Sequence, residues 1–364
     1  MRSPSSPGLP GLAGLAGLTA QLRGLAAHAA RGKRRSAGVA GFLLDAEASC
    51  QRLAYELASR TYQPRAGRCF WICDPKHRCI YALPFRDRVA QHWLIRATLP
   101  AIEQRMAAQS FACRVGKGTH RALAMAAAYH RRYRHVLHVD VQKFFASIDH
   151  ALLRRQLDRV VPEPWRWLRD RFLDAPMRVE RADFYFAGDD LFTPQERRHG
   201  LPIGSLTSQI WANYYLAPLD DLLRSHLGLV HFVRYCDDLL VYSDDAGQLR
   251  AALAALDARA GALRLRLHPE KTRLHRTSDP LPFLGFVLRR EGDGLRIRLR
   301  RENLIRMRRR LAVMRALFSV GAIGPDEVRS RLNAWLAHAR HGHTRGLLHR
   351  EVARWTFRLR EDSE

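Results

Sequence analysis

Two adjacent aspartates, Asp237 and Asp238, lie between two short apolar runs in the segment 231–243, which reads HFVRYCDDLLVYS. β-Branched and aromatic residues on both sides favour strands, and a tight turn between the strands leaves the two carboxylates exposed. Hard divalent cations prefer such oxygen ligands. The segment therefore predicts a β-hairpin that presents a pair of cation-binding carboxylates at its turn.

A third carboxylate, far away in the sequence, completes a candidate metal site. Asp140 follows the apolar residues of 136–139 and precedes Phe144 and Phe145, so it is predicted to end a strand beside the hairpin. Two divalent ions roughly 3.5–4 Å apart need carboxylates from two separate segments. An Asp-Asp pair is more often a solvated turn. The Asp-Asp pairs at 189–190, 220–221 and 244–245 lack a strand on each side, and they are interpreted as solvated turns.

Six segments stand in a fixed order around this hairpin. They are DPKHRCIYALPFRDRV (74–89), SFACRVGKGTHRAL (110–123), the segment at Asp140, the loop 188–220, LHPEKT (267–272) and FLGF (283–286). Their order resembles that of reverse transcriptases, most closely those of bacterial and phage diversity-generating retroelements. The resemblance runs from about Arg31 into the C-terminal part of the chain.

The fold that this resemblance implies is α+β, a right-hand polymerase with fingers, an antiparallel-sheet palm and a helical thumb. Residues 1–40 are expected to be a mobile or helical N-terminal extension, and 41–135 the fingers. Residues 136–290 are expected to be the palm, with a fingers insertion at about 151–199. A basic helical thumb is expected over 291–364.

The activity that the resemblance implies is RNA-directed DNA synthesis, in which deoxynucleoside triphosphates extend a DNA or RNA primer along a template RNA. One Mg²⁺ would activate the primer 3′-hydroxyl and a second would stabilise the pyrophosphate, with Mn²⁺ as an alternative. The predicted ligands are Asp140, Val141 and Asp237, with Asp238 in support. Lys271 is predicted to protonate the pyrophosphate, because general acid catalysis needs a group that can lose its proton. The alternative for Lys271 is a solvated lysine after a Pro-Glu turn.

Nucleotide contacts are expected from three regions of the chain, of which the first two are at Lys76 and Arg78 and at Phe145. Arg78, with Lys76 second, is predicted to hold the triphosphate, since a guanidinium contacts phosphate oxygens bidentately. The resemblance implies that Phe145 packs under the sugar and excludes a 2′-hydroxyl. The alternative is core packing, and strand alternation would send Phe144 and Phe145 to opposite faces.

The loop before residue 214 departs from most reverse transcriptases. Ile203 stands where they typically carry Gln, and Gln209 stands where they carry Pro. Gly204 is expected to let the backbone approach the nascent base pair. An aliphatic Ile203 cannot form the hydrogen bond of an amide, so discrimination between base pairs should weaken. This variant resembles the diversity-generating subgroup, which misincorporates opposite template adenines; the alternative for Ile203 is simple apolar packing.

The charge of the chain indicates a polyphosphate partner. With 61 basic and 35 acidic residues, the net charge is +26 and the isoelectric point is near 11. Counterion release from nucleic acid then dominates affinity. A membrane surface is the competing partner, but no run of 18 apolar residues occurs, and such a run is needed to span a bilayer.

A helix is predicted after residue 300, with an apolar stripe at 3–4 spacing formed by Leu304, Met307, Leu311, Met314 and Phe318. The stripe indicates core packing. Arg301, Arg308 and Arg315 recur every seven residues on another face, which suits a thumb helix that grips the template–primer backbone. A solvated basic face is the alternative.

The six cysteines are few and lie mostly in apolar segments, which predicts reduced, buried thiols and a cytoplasmic protein. Cys69, Cys73 and Cys79 lack zinc-ligand spacing, and the strand-like RCFWIC is expected to pack. A secretion signal at the Gly-rich N-terminus is a weaker alternative than an extension before a helix.

Other functional classes stay open. The signatures of retron-type enzymes are absent and the motifs do not support a mobile-intron enzyme, whereas a defence-associated reverse transcriptase stays open because those sequences diverge widely. A silent RNA-binding scaffold predicts damaged carboxylates, and all three are present. The resemblance further implies a small basic oligomeric accessory protein as a partner.

Overall fold

The computed structural model describes residues 12–34, 36–73, 77–176, 179–180 and 182–358. Lys76, for which a triphosphate contact is predicted, lies outside the described residues, and so does the first part of the N-terminal extension.

Helices and antiparallel strands alternate along the chain. In chain order the helices are α1 (Leu12–Ala29), α2 (Ala37–Leu44), α3 (Ala46–Ala58), α4 (Phe85–Arg105), α5 (Thr119–Arg132), α6 (Phe144–Ser147), α7 (His150–Asp158), α8 (Glu163–Asp174), α9 (Thr193–Glu196), α10 (Leu206–Tyr215), α11 (Ala217–Asp221), α12 (Ala246–Ala262), α13 (Arg301–Ser319), α14 (Pro325–Ala339) and α15 (Arg345–Ala353). The strands are β1 (Arg68–Ile72), β2 (Arg78–Ala82), β3 (His135–Val139), β4 (Phe232–Tyr235), β5 (Asp238–Ser243), β6 (Arg273–Arg276), β7 (Leu281–Phe283), β8 (Phe286–Glu291) and β9 (Gly294–Leu299). A π-helical turn, Leu222–His226, follows α11.

The chain divides into two compact units, each assembled from three stretches of sequence. The first unit contains Met1–Ala108, Val141–Leu222 and Leu256–Leu267, and the second contains Gln109–Asp140, Leu223–Ala255 and His268–Glu364. The predicted fingers segment and the predicted palm segment therefore each contribute to both units.

The N-terminal part of the first unit is helical. Although it is rich in glycine, α1 is dominated by Ala and Leu, which are good helix formers. Leu22 and Ala26 are buried, and the helix packs against α3 and α4. The N-terminal extension was expected to be mobile or helical. Over the described residues it contains the helix α1.

The first unit also contains a two-stranded hairpin of β1 and β2, with Arg68 opposite Ala82 and Ile72 opposite Arg78. The strand predicted from RCFWIC is confirmed, but its expected packing is wrong. Phe70 and Trp71 are 49% and 61% exposed, respectively. A two-stranded ribbon buries little surface by itself, so these aromatic side chains remain open to solvent.

Two antiparallel sheets form the second unit. The four-stranded sheet has the order β4-β5-β3-β6, and the three-stranded sheet has the order β7-β8-β9. β3 is an inner strand, and its neighbouring residues Val136 and Leu137, which point to opposite faces, are both buried. Helix α5 packs on strands of both sheets. The core of this unit joins residues of α5, such as Leu123, to residues of the three-stranded sheet, such as Phe286.

The C-terminal helices follow a hairpin formed by β8 and β9. The boundary predicted at 290–291 falls inside this hairpin. The apolar stripe of α13 is confirmed, because Met307, Leu311 and Met314 are buried together. Leu304 and Phe318 are half-buried at the two ends of the stripe.

The six cysteines are free thiols, but only Cys50 is buried. Cys73 and Cys113 are exposed, and the other three are half-buried, so the expectation of mostly buried thiols is wrong. Over the described part of the chain, no helix is both long enough and apolar enough to cross a membrane.

Candidate active site

The predicted carboxylate hairpin is confirmed by the structure. β4 and β5 pair with Tyr235 opposite Asp238, so Cys236 and Asp237 form the turn. Cys236 has φ of 60°, and a positive φ at the first turn residue occurs in type II′ turns, which match the twist of the flanking strands. Asp238 begins β5 and is half-buried.

A buried arginine supports this turn. Arg234 is only 1% exposed, and its Nη1 donates to the carbonyl oxygen of Cys236 at 3.2 Å. Such a contact fixes the backbone that carries Asp237. Arg234 was not among the predicted site residues, because a basic residue in an apolar strand has no partner visible in the sequence.

Asp140 directly follows β3, as predicted. Its carbonyl oxygen accepts a hydrogen bond from the backbone N–H of His268 at 2.7 Å, and the pairing of β3 with β6 continues from there. This register brings Lys271 to Asp140, where Nζ lies 2.7 Å from Oδ1. The lysine is 41% exposed and the carboxylate 18%. Lys271 therefore lies beside Asp140, and its role as a general acid stays a prediction.

The three predicted carboxylates interact with one another. Burial, helped by the charges of Asp140 and Asp238, raises the pKa of Asp237 to about 6, against the opposing effects of a backbone hydrogen bond at Asp237 and of the charge of Lys271. Like charges that repel within a few ångströms are stabilised when a cation enters between them. The cluster therefore has the oxygen donors and the excess negative charge that suit a hard divalent cation.

Asp238 has a partner that the sequence analysis missed. His138 Nε2 lies 2.7 Å from Asp238 Oδ1, and because an ionised carboxylate only accepts, the imidazole is the donor. His138 pairs with Leu240 across the sheet, so Asp238, two residues before Leu240, lies on the same face. His138 and Asp140 are two residues apart at the end of a strand, so their side chains share one face. This spacing could have indicated that His138 lies near the carboxylates.

The carboxylates are held by protein groups in this arrangement. Lys271 contacts Asp140 and His138 contacts Asp238. Among the residues that the structure describes, no three His, Cys, Asp or Glu side chains already form a metal-ligand set. Carboxylate oxygens are the donor type that Mg²⁺ and Mn²⁺ prefer, so Asp140, Asp237 and Asp238 have suitable chemistry, and their binding of an ion stays a prediction. Val141, the fourth predicted ligand, has a buried side chain, and its backbone bridges to Leu267.

In the first unit, Phe145 lies on the short helix α6, not on a strand. The prediction of opposite faces by strand alternation is therefore wrong. Phe144 is buried and Phe145 is half-buried, with the two rings edge-to-face at 5.5 Å. The carbonyl oxygen of Phe145 accepts from the N–H of Leu201 at 2.8 Å, which ties the loop of Ile203 to this helix.

The predicted nucleotide-binding loop packs on β2. The carbonyl oxygen of Ile203 accepts from the N–H of Tyr81 at 2.9 Å. Gly204 has φ of 110°, and a Cβ there would lie 2.9 Å from Ile80 Cγ2 and 3.2 Å from the Tyr81 carbonyl oxygen. Glycine is thus required by close approach to β2, whereas the sequence analysis attributed it to approach to a base pair.

Two other residues that are predicted to contact the nucleotide lie on the elements next to this loop. Arg78 begins β2 and is exposed, and Gln209 is exposed in α10. Gln91 of α4 is buried and donates to Ser205 Oγ at 2.7 Å and Thr207 Oγ1 at 2.9 Å. Gln91 therefore holds the start of α10, a role that no motif in the sequence indicates.

Comparison with known proteins decides the family. A profile of the family described as reverse transcriptase (RNA-dependent DNA polymerase) matches residues 74–288, which is more than half of the chain. The chain belongs to the reverse transcriptase family. It is also similar to Protein YkfC of Escherichia coli (strain K12), with 24% identity over 281 residues that cover 66% of this chain and 71% of that protein.

The reverse transcriptase is thus an enzyme, an RNA-directed DNA polymerase that transfers nucleotides. Membership implies the use of a template nucleic acid and deoxynucleoside triphosphates, and reverse transcriptases generally use divalent metal ions. The matched region contains Asp140, Asp237, Asp238 and Lys271.

The three predicted arginines of α13 have different environments in this reverse transcriptase. Arg308 forms a bidentate pair with Glu351 of α15, with N–O distances of 2.8 and 2.6 Å. The guanidinium of Arg315 lies 5.3 Å from the centre of the Trp355 ring. Arg301 is exposed at the start of the helix. Arg308 and Arg315 thus contact the C-terminal segment, and binding of the nucleic-acid backbone by the three arginines stays a prediction.

Proposed function

We propose that this reverse transcriptase makes cDNA from an RNA template at the carboxylate cluster of the second unit. The observation that carries this proposal is the convergence of Asp140, Asp237 and Asp238 with Lys271. The cluster lies within the region matched to the family. The acidic side chains come from the two segments that a two-metal site requires.

Bound Mg²⁺ or Mn²⁺ ions would supply activation of the primer 3′-hydroxyl and neutralisation of the leaving pyrophosphate. Asp140 and Asp237 would hold them, with Asp238 and the backbone at Val141 in support. Lys271, freed from Asp140, would donate a proton to the pyrophosphate. In this proposal His138 and Arg234 orient the carboxylates and do not touch the substrate.

The remaining parts of the fold are assigned in the same proposal. The four-stranded sheet is the palm, the β1–β2 hairpin belongs to the fingers, and helices α13–α15 are the thumb. Arg78 and Lys76 would bind the triphosphate, and Phe145 would exclude a 2′-hydroxyl. Arg301, which is exposed, remains a candidate for contact with the nucleic-acid backbone.

The test is primer extension on an RNA template with Asp237→Asn. Loss of one charge at the reacting phosphate is expected to lower kcat by about 10²- to 10³-fold. Asp293→Asn is the matched control, because Asp293 is an exposed carboxylate in the turn between β8 and β9, and it should retain full activity. Equal product from wild type and Asp237→Asn would overturn the metal assignment.

We further propose that the enzyme is error-prone at template adenines, as part of a diversity-generating retroelement with a small basic accessory protein. Support comes from Ile203 and Gln209, which replace the residues typical of other reverse transcriptases. Ile203→Gln is expected to lower the error frequency opposite adenine. Near-identical repeats beside the gene that differ mainly at adenines would support this assignment. Their absence would favour a defence-associated enzyme.

A further inference from the structure

The segment just before α5 covers the outer edge of the four-stranded sheet, where β4 is the last strand. Ser110 forms a parallel β-bridge with Arg234 of β4. The N–H of Arg234 donates to the carbonyl oxygen of Gln109 at 2.9 Å, and its own carbonyl oxygen accepts from the N–H of Phe111 at 2.8 Å. The segment therefore pairs with an edge that would otherwise have open backbone groups.

The start of α5 then reaches the last residue of β4. The N–H of Gly118 donates to the carbonyl oxygen of Phe111 at 3.0 Å, and α5 begins at Thr119. Thr119 Oγ1 donates to the hydroxyl oxygen of Tyr235 at 3.1 Å. The ring of Tyr235 packs against the core of this unit. Both the apolar and the polar part of this side chain are thus held, directly before the turn that carries Asp237.

The next residue of α5 connects the same helical turn to the C-terminal helices. His120 stacks on His341, with ring centres 3.6 Å apart and an angle of 19° between the rings. The ring of His338, near the end of α14, lies 5.7 Å from that of His120. Stacking restricts the positions of both rings. The first turn of α5 therefore contacts the strand before the carboxylates and also the end of α14.

We propose that Thr119 is a positioning residue for nucleotide transfer, which holds the turn of Asp237 through Tyr235 and is itself fixed by the stack of His120 on His341. The inference rests on the proposed function and deepens it. Catalytic groups must be held within about 0.5 Å of their productive positions by contacts around them. A two-residue turn has little packing of its own, so the strand that leads into it must supply this rigidity.

Steady-state primer extension tests the hydrogen bond. Thr119→Val removes the hydroxyl and is expected to lower kcat about two- to tenfold, the range of one hydrogen bond, while KM for the nucleotide and for the template–primer stays unchanged. Thr119→Ser keeps the hydroxyl and should restore kcat. Tyr235→Phe should match Thr119→Val, and the double variant should lose no more than either single variant. Tyr185→Phe is the matched control, because it removes a phenol that donates to Leu191 in the first unit.

Cys236, in the turn itself, gives a readout that does not need activity. Burial is the main cause that raises the pKa of its thiol to about 12, and the thiolate is the reactive form, so iodoacetamide should modify it slowly. Opening of the turn in Thr119→Val should increase the alkylation rate about two- to tenfold. Peptide mass spectrometry measures this rate, and the exposed Cys73 is the internal control, with an unchanged rate.

His341→Ala tests the connection to the C-terminal helices. It should lower kcat by a smaller factor than Thr119→Val, and His341→Phe should retain kcat because a ring remains for the stack. Combined with Thr119→Val, His341→Ala should cause no further loss, since its effect passes through a bond that is already missing. His349→Ala is the matched control, an exposed histidine on α15. Additive losses would overturn the role of the stack.

Two results would overturn the role of Thr119. If Tyr235→Phe raises the KM for template–primer and Thr119→Val does not, the Tyr235 hydroxyl binds nucleic acid and does not serve as a positioning contact. If Thr119→Val melts like wild type and changes neither kcat nor the alkylation of Cys236, the hydrogen bond does not hold the turn. Failure of the proposed function is seen separately, in full activity of Asp237→Asn, and the alkylation rate tests the turn without catalysis.

Discussion

At the scale of single residues, His138 should tune the carboxylate cluster without touching the substrate. Its imidazole fixes Asp238 at 2.7 Å, and residues that orient metal ligands typically contribute 10–100-fold to metal affinity or activity. We expect His138→Ala to raise the Mg²⁺ concentration for half-maximal primer extension by about that factor. His138→Gln should restore much of the loss, because an amide N–H can donate to the carboxylate.

A control on the same strand distinguishes this role from simple stability. His135 lies at the far end of β3, where its Nδ1 contacts the backbone of Asp244 at 3.2 Å. His135→Ala should leave the Mg²⁺ dependence unchanged. A His138→Ala enzyme that loses activity equally at every Mg²⁺ concentration would contradict the positioning role.

The chemically obvious residues could be predicted from the sequence, whereas those that support them could not. Paired carboxylates between β-type runs identified Asp237 and Asp238, and a strand-end carboxylate identified Asp140. The support given by His138 depends on the register of β3 against β5, and that of Gln91 depends on packing of α4 against α10. Register and packing are long-range properties, so one sequence gives no local signal for them.

At the scale of secondary-structure elements, the pair of Arg308 and Glu351 should connect α13 to α15 in a pH-dependent way. Glu351 is only 4% exposed, and the hydrogen bonds from Arg308 hold the pKa of Glu351 below its usual value of 4.5. A depressed folded-state pKa stabilises the fold above the unfolded value, and this contribution is lost as the pH falls through the folded value. Glu351→Gln should therefore lower Tm near neutral pH.

The difference in Tm between wild type and Glu351→Gln should shrink as the pH falls below 4.5. Thermal melts followed by circular dichroism across this range would show it. Glu327→Gln is the matched control, because Glu327 pairs with Arg331 on the exposed surface of α14 and exposed pairs contribute little. A constant difference in Tm at all pH values would mean that Glu351 acts through packing and not through charge.

Some helices and strands could be predicted from local sequence patterns, and others could not. Strong periodicity predicted α13 and its buried stripe, and turn chemistry predicted the β4–β5 hairpin. Phe144 and Phe145 were expected in a strand because they follow one, but the chain turns into α6 immediately after Lys143, which has φ of 47°. A left-handed residue at a non-glycine position is set by tertiary contacts, and the sequence did not reveal it.

At the scale of the whole molecule, the sequence predicted four segments in a row, with a fingers insertion inside the palm, while the structure has two units that each take three separate stretches of chain. Contacts between residues distant in sequence decide such a division. Composition was more informative about the partner, because a net charge of +26 does not depend on how the segments are arranged.

That charge leads to a prediction about nucleic-acid binding as a whole. Each phosphate neutralised should contribute about −0.9 on duplex, or −0.7 on single strand, to the slope of log K against log salt. Many arginines already pair within the chain, among them Arg154 with Asp174 and Arg197 with Asp189. The total slope should therefore be several units negative but well short of the value that 26 free charges would give.

Anisotropy titrations of a template–primer at increasing salt would measure this slope. A template with an uncharged backbone provides the control, since it keeps the bases and removes the phosphates; it should bind far more weakly and with little salt dependence. A slope near zero on the natural template would mean that contacts to bases dominate, and the basic surface would then need another explanation. A steep slope shared by wild type and Asp237→Asn would show that template binding and nucleotide transfer depend on different residues.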